Sequence, residues 1–230
     1  VNQDTFLSAV DDAIHRSIVG VSRGNDKKVS PLPVAVGVSG QGKTEVLMWL
    51  YNNEGNCHDR ILRTFATALK NQPGRKPPKH VVALFATFNQ RTTYDLMESG
   101  RSALVSRLLC SWHRKKWTLE VSRRCADLTL GILDAAVRRQ TSIDKACDPE
   151  EVVTLFLVDE VRKLDSEPKQ RRAMLDHLCS SMQALQAAQL PSLSIATCLD
   201  VASIFADVTL GSQRPLLCLP LLPCSSQDLD

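Results

Sequence analysis

The stretch AVGVSGQGKTEVL, residues 35–47, decides the fold. Inside it, Gly37-Val38-Ser39-Gly40-Gln41-Gly42-Lys43-Thr44 fits the pattern G-x-x-x-x-G-K-[ST] at every fixed position. Such a loop must wrap so that successive backbone N–H groups point inward at anionic oxygens. Glycines permit the backbone angles and the close approach. Lys43 then sets a cation on the outer phosphates, and Thr44 offers a hydroxyl to Mg²⁺. The motif needs a strand before it and a helix after it. PVAVGV (33–38) and KTEVLMWLYNN supply the two, and the helix points its N-terminal dipole at the ligand. Gly37, Ser39, Gly40, Gln41, Gly42, Lys43, Thr44 and Glu45 are therefore the candidate nucleotide contacts. The competing reading is a glycine-rich turn with a chance lysine.

A second signal lies in VVTLFLVDE, where an apolar run ends in Asp159 and Glu160. Carboxylates at the carboxyl end of a parallel strand sit where such sheets bind ligands. Asp159 is a candidate for holding Mg²⁺ through water, and Glu160 for polarising an attacking water. An aspartate alone supports binding, whereas the added glutamate argues for hydrolysis. Taken by itself the pair reads equally well as two acids opening a solvent loop.

Three further polar residues are candidates. Thr197 closes an apolar run, where it can reach an outer phosphate or the water. Asn89 closes another, where it can orient Glu160. Arg214, in GSQRPL, can stabilise phosphoryl charge on its own or a neighbour's nucleotide. Strand-end caps and a surface turn are the competing readings.

Working outward, residues 4–18 read as a helix with Phe6, Val10, Ile14 and Ile18 as its apolar stripe. Strand candidates are 33–38, 80–89, 152–158, 192–199 and 215–222, the last held to an edge by its prolines. Residues 92–140 are mostly helical, with breaks near Gly100 and around Lys115–Thr118. The stretch 166–186 is a helix with Met174, Leu178, Ser181 or Met182, and Leu185 inward, capped near Ser166 and Glu167. Alternating strands and helices predict an α/β fold, a mainly parallel sheet with helices on both faces.

In order, GVSGQGKT, VALFATFN, TLFLVDE, LSIATCLD and GSQRPL resemble the AAA+ and STAND branch of P-loop ATPases. The resemblance covers roughly residues 14–222. It implies a P-loop NTPase three-layer sandwich with five strands ordered 5-1-4-3-2, and ATP with Mg²⁺ as ligands. In that frame Lys43, Thr44, Asp159 and Glu160 take the roles above. Thr197 becomes the sensor on the fourth strand, Asn89 the glutamate switch and Arg214 the finger-like residue. The ending ATCLDVASIFADVTLGSQRPLLCLPLLP is similar to the ATPase modules of Crinkler effectors and retrotransposon hot spot proteins. Two departures stand out. The separation of Lys43 from Asp159 is long for the family, so about 92–140 is read as a helical insert within one domain, 1–230. The helical lid that usually follows the fifth strand is expected to be absent. No sensor-2 arginine is then assigned.

Composition limits the classes open to the chain. Its 230 residues are 43% apolar and 23% charged with a net charge of +3, ordinary for a globular domain and no demand for a nucleic-acid partner. The first residues are not a signal peptide, no apolar run has the length of a membrane span, and no membrane is expected. The chain does not open on Met, which suggests a piece of a longer protein. Eight cysteines form no C-x-x-C pair and have no histidine at ligand spacing. They read as reduced thiols and point to the cytoplasm or nucleus, or to a host cell if the chain is an effector. WHRKKW (112–117) and KNQPGRKPPK (70–79) could touch nucleic acid, but short basic runs in a nearly neutral chain are usually solvated faces.

The expected function is Mg²⁺-dependent hydrolysis of ATP to ADP and phosphate, coupled to a conformational switch. The alternative is a nucleotide-gated module with little turnover that binds a protein, another copy of itself or nucleic acid. A small-molecule kinase fits less well, since no second substrate signature accompanies the loop.

Overall fold

The run VVTLFLVD is apolar at both parities, so a strand made of it needs cover on both faces. In the computed structural model it forms β3 (Val152–Asp159), every residue of which is buried. The structure describes residues 2–22, 31–37, 41–70, 72, 74–88, 95, 98–160, 168–188, 190–198 and 216–221. Beside β3 lie β2 (His80–Thr87) and β4 (Ser192–Cys198), with β1 (Leu32–Val36) beyond β4 and β5 (Leu216–Leu219) outermost. All four ladders are parallel. The order across the sheet is β2-β3-β4-β1-β5, which from the β5 edge reads 5-1-4-3-2. The short β5 occupies an edge, where Pro220 and its missing N–H end the ladder at no cost to a neighbour.

The helices divide between the two faces. On one side α1 (Gln3–Ser22), α2 (Lys43–Asn52) and α3 (Cys57–Leu69) cover Val153, Leu155, Leu157 and Ile195. On the other, α4 (Gly100–Trp112), α6 (Leu130–Lys145) and α7 (Pro168–Ala187) cover Val34, Leu84, Phe156 and Val158. The short α5 (Leu119–Arg124) links α4 to α6. Strand parity thus fixes which residues meet which layer, and Asp159 shares the parity of Leu157, the side of α2. Phe6, Val10 and Ile14 are fully buried in α1, and Met174, Leu178, Met182 and Leu185 line the inner side of α7. Leu175 and Cys179 join them, so the buried stripe of α7 is wider than one row.

The break expected near Gly100 coincides with the start of α4, since residues 98 and 99 just before it are not helical. Ser99 caps α4 in a reciprocal box with Ser102. Gly100 is there for close approach, since a Cβ on it would lie 2.2 Å from the Gln170 carbonyl oxygen of α7. The described part of the stretch 92–140, read as a helical insert, holds α4, α5 and most of α6, and so contributes to two of the three helices on that face. The expected break around Lys115–Thr118 does separate α4 from α5.

One polar network crosses the core. The Thr154 hydroxyl, inside a fully buried strand, donates to Asp134 Oδ1 at 2.6 Å and accepts from Arg138 at 2.9 Å. Arg138 also donates to Asp134 Oδ2 and to the Val152 and Pro191 carbonyls, tying α6 to the starts of β3 and β4.

Seven cysteines are free thiols, five of them buried; Cys224 lies outside the described residues. Among the described residues no group of three or more histidine, cysteine or acidic side chains is placed to hold a metal, and no helix is long and apolar enough to cross a membrane.

Candidate functional site

Because β1 sends the chain past β4 and β3 to reach β2, a crevice opens at the carboxyl ends of β1, β4 and β3. The phosphate-loop candidates begin there. Gly37 follows β1 and its N–H donates to the Cys198 carbonyl at 3.3 Å, joining the loop to the end of β4. The Gln41 side chain folds back so closely that a Cβ on Gly37 would lie 2.3 Å from its Oε1. Gly42 turns the chain into α2 with φ of 75°, a left-handed conformation that favours glycine.

Lys43 is the first residue of α2 and is buried. Its Nζ donates to the Gly37 carbonyl at 2.6 Å, so the amine spans the loop it closes. Thr44 and Glu45 are exposed in the first turn. Ser39 and Gly40 lie outside the described residues.

Asp159, fully buried, is the centre of the site. Thr44 Oγ1 donates to its Oδ2 at 2.8 Å, and Thr197 Oγ1 donates to its Oδ1 at 2.7 Å. Thr87, opposite Asp159 in the β2–β3 ladder, reaches Oδ2 at 3.4 Å. Three elements besides its own therefore hold this carboxylate. These hydrogen bonds offset part of the cost of burying the carboxylate.

Glu160 follows in a left-handed turn, φ 57°, unusual for a residue with a side chain. Its N–H donates to Thr197 Oγ1 at 2.9 Å. One hydroxyl thus fixes the Asp159 carboxylate and the backbone of Glu160 together. Thr197, expected to touch a phosphate or the water, is fully buried, and its hydroxyl donates a hydrogen bond to Asp159. Here it acts as a positioning residue for both acids. Thr197→Val should cost about 1–3 kcal/mol of stability, since it leaves a buried N–H and a carboxylate oxygen without that partner. Thr197→Ser should keep most of it. Urea denaturation of the three proteins checks this, and an unchanged midpoint in Thr197→Val would remove the clamp.

Asn89 and Arg214 lie outside the described residues, so their expected contacts with Glu160 and phosphate rest on sequence. Thr87 is the residue that sequence reading missed. Its signal was a hydroxyl two positions before Asn89, at the parity that faces Asp159 once β2 and β3 are paired.

This arrangement can hold an anion over the start of α2 and a hard cation at Thr44 and Asp159, with a second carboxylate alongside. No family model, curated protein or solved structure matches the chain.

Proposed function

We propose that this chain is a P-loop ATPase domain: it binds ATP with Mg²⁺ and hydrolyses it to ADP and phosphate, and the cycle drives a conformational switch. One observation carries the reading. Thr44 and Asp159, 115 positions apart, come from the two motifs that phosphate chemistry needs, and they meet at 2.8 Å. Chance motifs have no reason to converge at the ligand crevice of a parallel sheet.

The donor set fits the implied metal. Thr44 and Asp159 offer hard oxygens, with no thiol or imidazole among the hydrogen-bond partners of that carboxylate. The bound Mg²⁺–ATP supplies the phosphoanhydride bond and a charge that offsets its oxygens. The chain does the rest. Lys43 exchanges the Gly37 carbonyl for phosphate oxygens. Gly42 and the first turn of α2 present backbone N–H groups at the positive end of the helix. Thr44 and Asp159 hold the metal. Glu160 orients a water and accepts its proton at a carboxylate oxygen. Thr197 keeps Asp159 and Glu160 in register.

Nucleotide binding and phosphate release by wild type and Lys43→Ala test the reading. Wild type should do both, and Lys43→Ala should bind ATP at least about tenfold more weakly, the loss of a charge-assisted contact worth about 1.5–3 kcal/mol. Folded wild-type protein that binds no nucleotide would leave the loop a structural turn.

A further inference from the structure

A second cleft opens beside β2, on the sheet edge away from β5. It encloses about 790 Å³ and is lined by Phe85, Thr87, Ser111, Lys115, Lys116 and Trp117, with Arg107 and Cys110 below. That volume suits a small organic ligand. We infer that this cleft binds a small phosphate ester bearing a planar ring, the size of a mononucleotide.

The lining provides both halves of that chemistry. Phe85 and Trp117 supply apolar ring surface, and Thr87 and Ser111 supply hydroxyls. Lys115 and Lys116 supply the charge. Both are exposed, and neither has an acidic partner among the described residues. Arg107 does not add to that charge, because Glu98 takes two of its hydrogen bonds at 3.0 and 3.1 Å in a buried pair.

The walls are preorganised. The Arg107 guanidinium sits between the Phe88 ring, 4.6 Å away, and the Trp117 ring, 4.0 Å away. Trp117 Nε1 donates to Ser106 Oγ at 3.0 Å, which fixes the tilt of the indole. The Lys115 N–H donates to the Cys110 carbonyl at 2.8 Å, anchoring the basic turn to α4. A basic run on an ordinary solvated face needs none of these restraints. Concavity, fixed rings and two lysines without acidic partners separate this run from that default. Thr87 lines the cleft and also approaches Asp159, so the two sites share a wall.

Equilibrium dialysis with uridine 5′-monophosphate tests the inference, using protein carrying Lys43→Ala so that the phosphate loop contributes little. One equivalent should bind, and inorganic phosphate should bind more weakly. Adding Lys115→Ala and Lys116→Ala should weaken uridine monophosphate binding at least tenfold. Both lysines are exposed, so folding is not at stake, and circular dichroism confirms it. Three results overturn the inference: no binding of the monophosphate, equal binding after loss of both lysines, or binding of a ten-residue oligothymidylate without the monophosphate. The last would make the turn a nucleic-acid surface instead. The outcome is independent of ATP turnover, because the test is run without it.

Discussion

Glu160→Gln should bind ATP as wild type does and release phosphate about 10²–10⁴-fold more slowly, the range for losing a positioned general base. The substitution keeps the shape of the side chain and removes its ability to accept a proton. Its backbone stays in place, since the N–H that Thr197 accepts and the left-handed turn belong to the main chain. The Asp159 carboxylate keeps its three hydroxyl donors, so the proposed metal site persists. Binding and turnover should therefore separate. Single-turnover phosphate release beside ATP binding reads both. Turnover at the wild-type rate would take Glu160 out of the chemistry. Wild-type protein that binds ATP and releases nothing would favour the alternative, a nucleotide-gated interaction module.

The layers were legible because periodicity carries them. A run that is apolar at both parities, VVTLFLV, leaves little choice but a covered central strand, and it became β3. PLLCLPLL carried its own restriction, since proline cannot serve a central ladder, and among its described residues Leu216–Leu219 form the strand. Gly100 marks the start of α4, and its presence there has a reason beyond local propensity. Glycine has a low helix propensity, but here it admits the backbone of α7, a tertiary demand invisible along the chain. The length between Lys43 and Asp159 likewise takes its meaning from packing. Without the packing, α4 and α6 read as an addition, whereas they cover one face of the sheet.

The site divides in the same way. Lys43 and Thr44 follow from the spacing of the glycine-rich loop, and Asp159 from its place at the end of an apolar strand. Thr87 depends on the β2–β3 register, and Thr197's two hydrogen bonds depend on β4 lying next to β3. Neither adjacency is written in a single strand. Polar residues at strand ends are read with more force once the strand order is known, because each then has a named neighbour.

Arg138→Ala should destabilise the protein by about 3–5 kcal/mol, the cost of breaking a buried pair from one side. Arg138 and Asp134 are among the least exposed charged side chains, at 2% and 0%. Truncation leaves Asp134 with only the Thr154 hydroxyl, and takes a donor from the Val152 and Pro191 carbonyls at the starts of β3 and β4. Lysine cannot replace a planar fork that serves five acceptors, the Pro149 carbonyl among them, so Arg138→Lys should recover little. Removing the whole network is a different matter. The triple variant Asp134→Leu, Arg138→Met, Thr154→Val leaves fewer buried polar groups wanting partners, and should recover most of the loss. Chemical denaturation of the single and triple variants decides it. If Arg138→Ala is too unstable to purify, the triple variant still reports whether charge satisfaction or shape holds α6 to the sheet. Recovery assigns the loss to orphaned polar groups. A triple variant as unstable as the single one would mean that the guanidinium itself, as a spacer between α6 and two strands, is what the core requires.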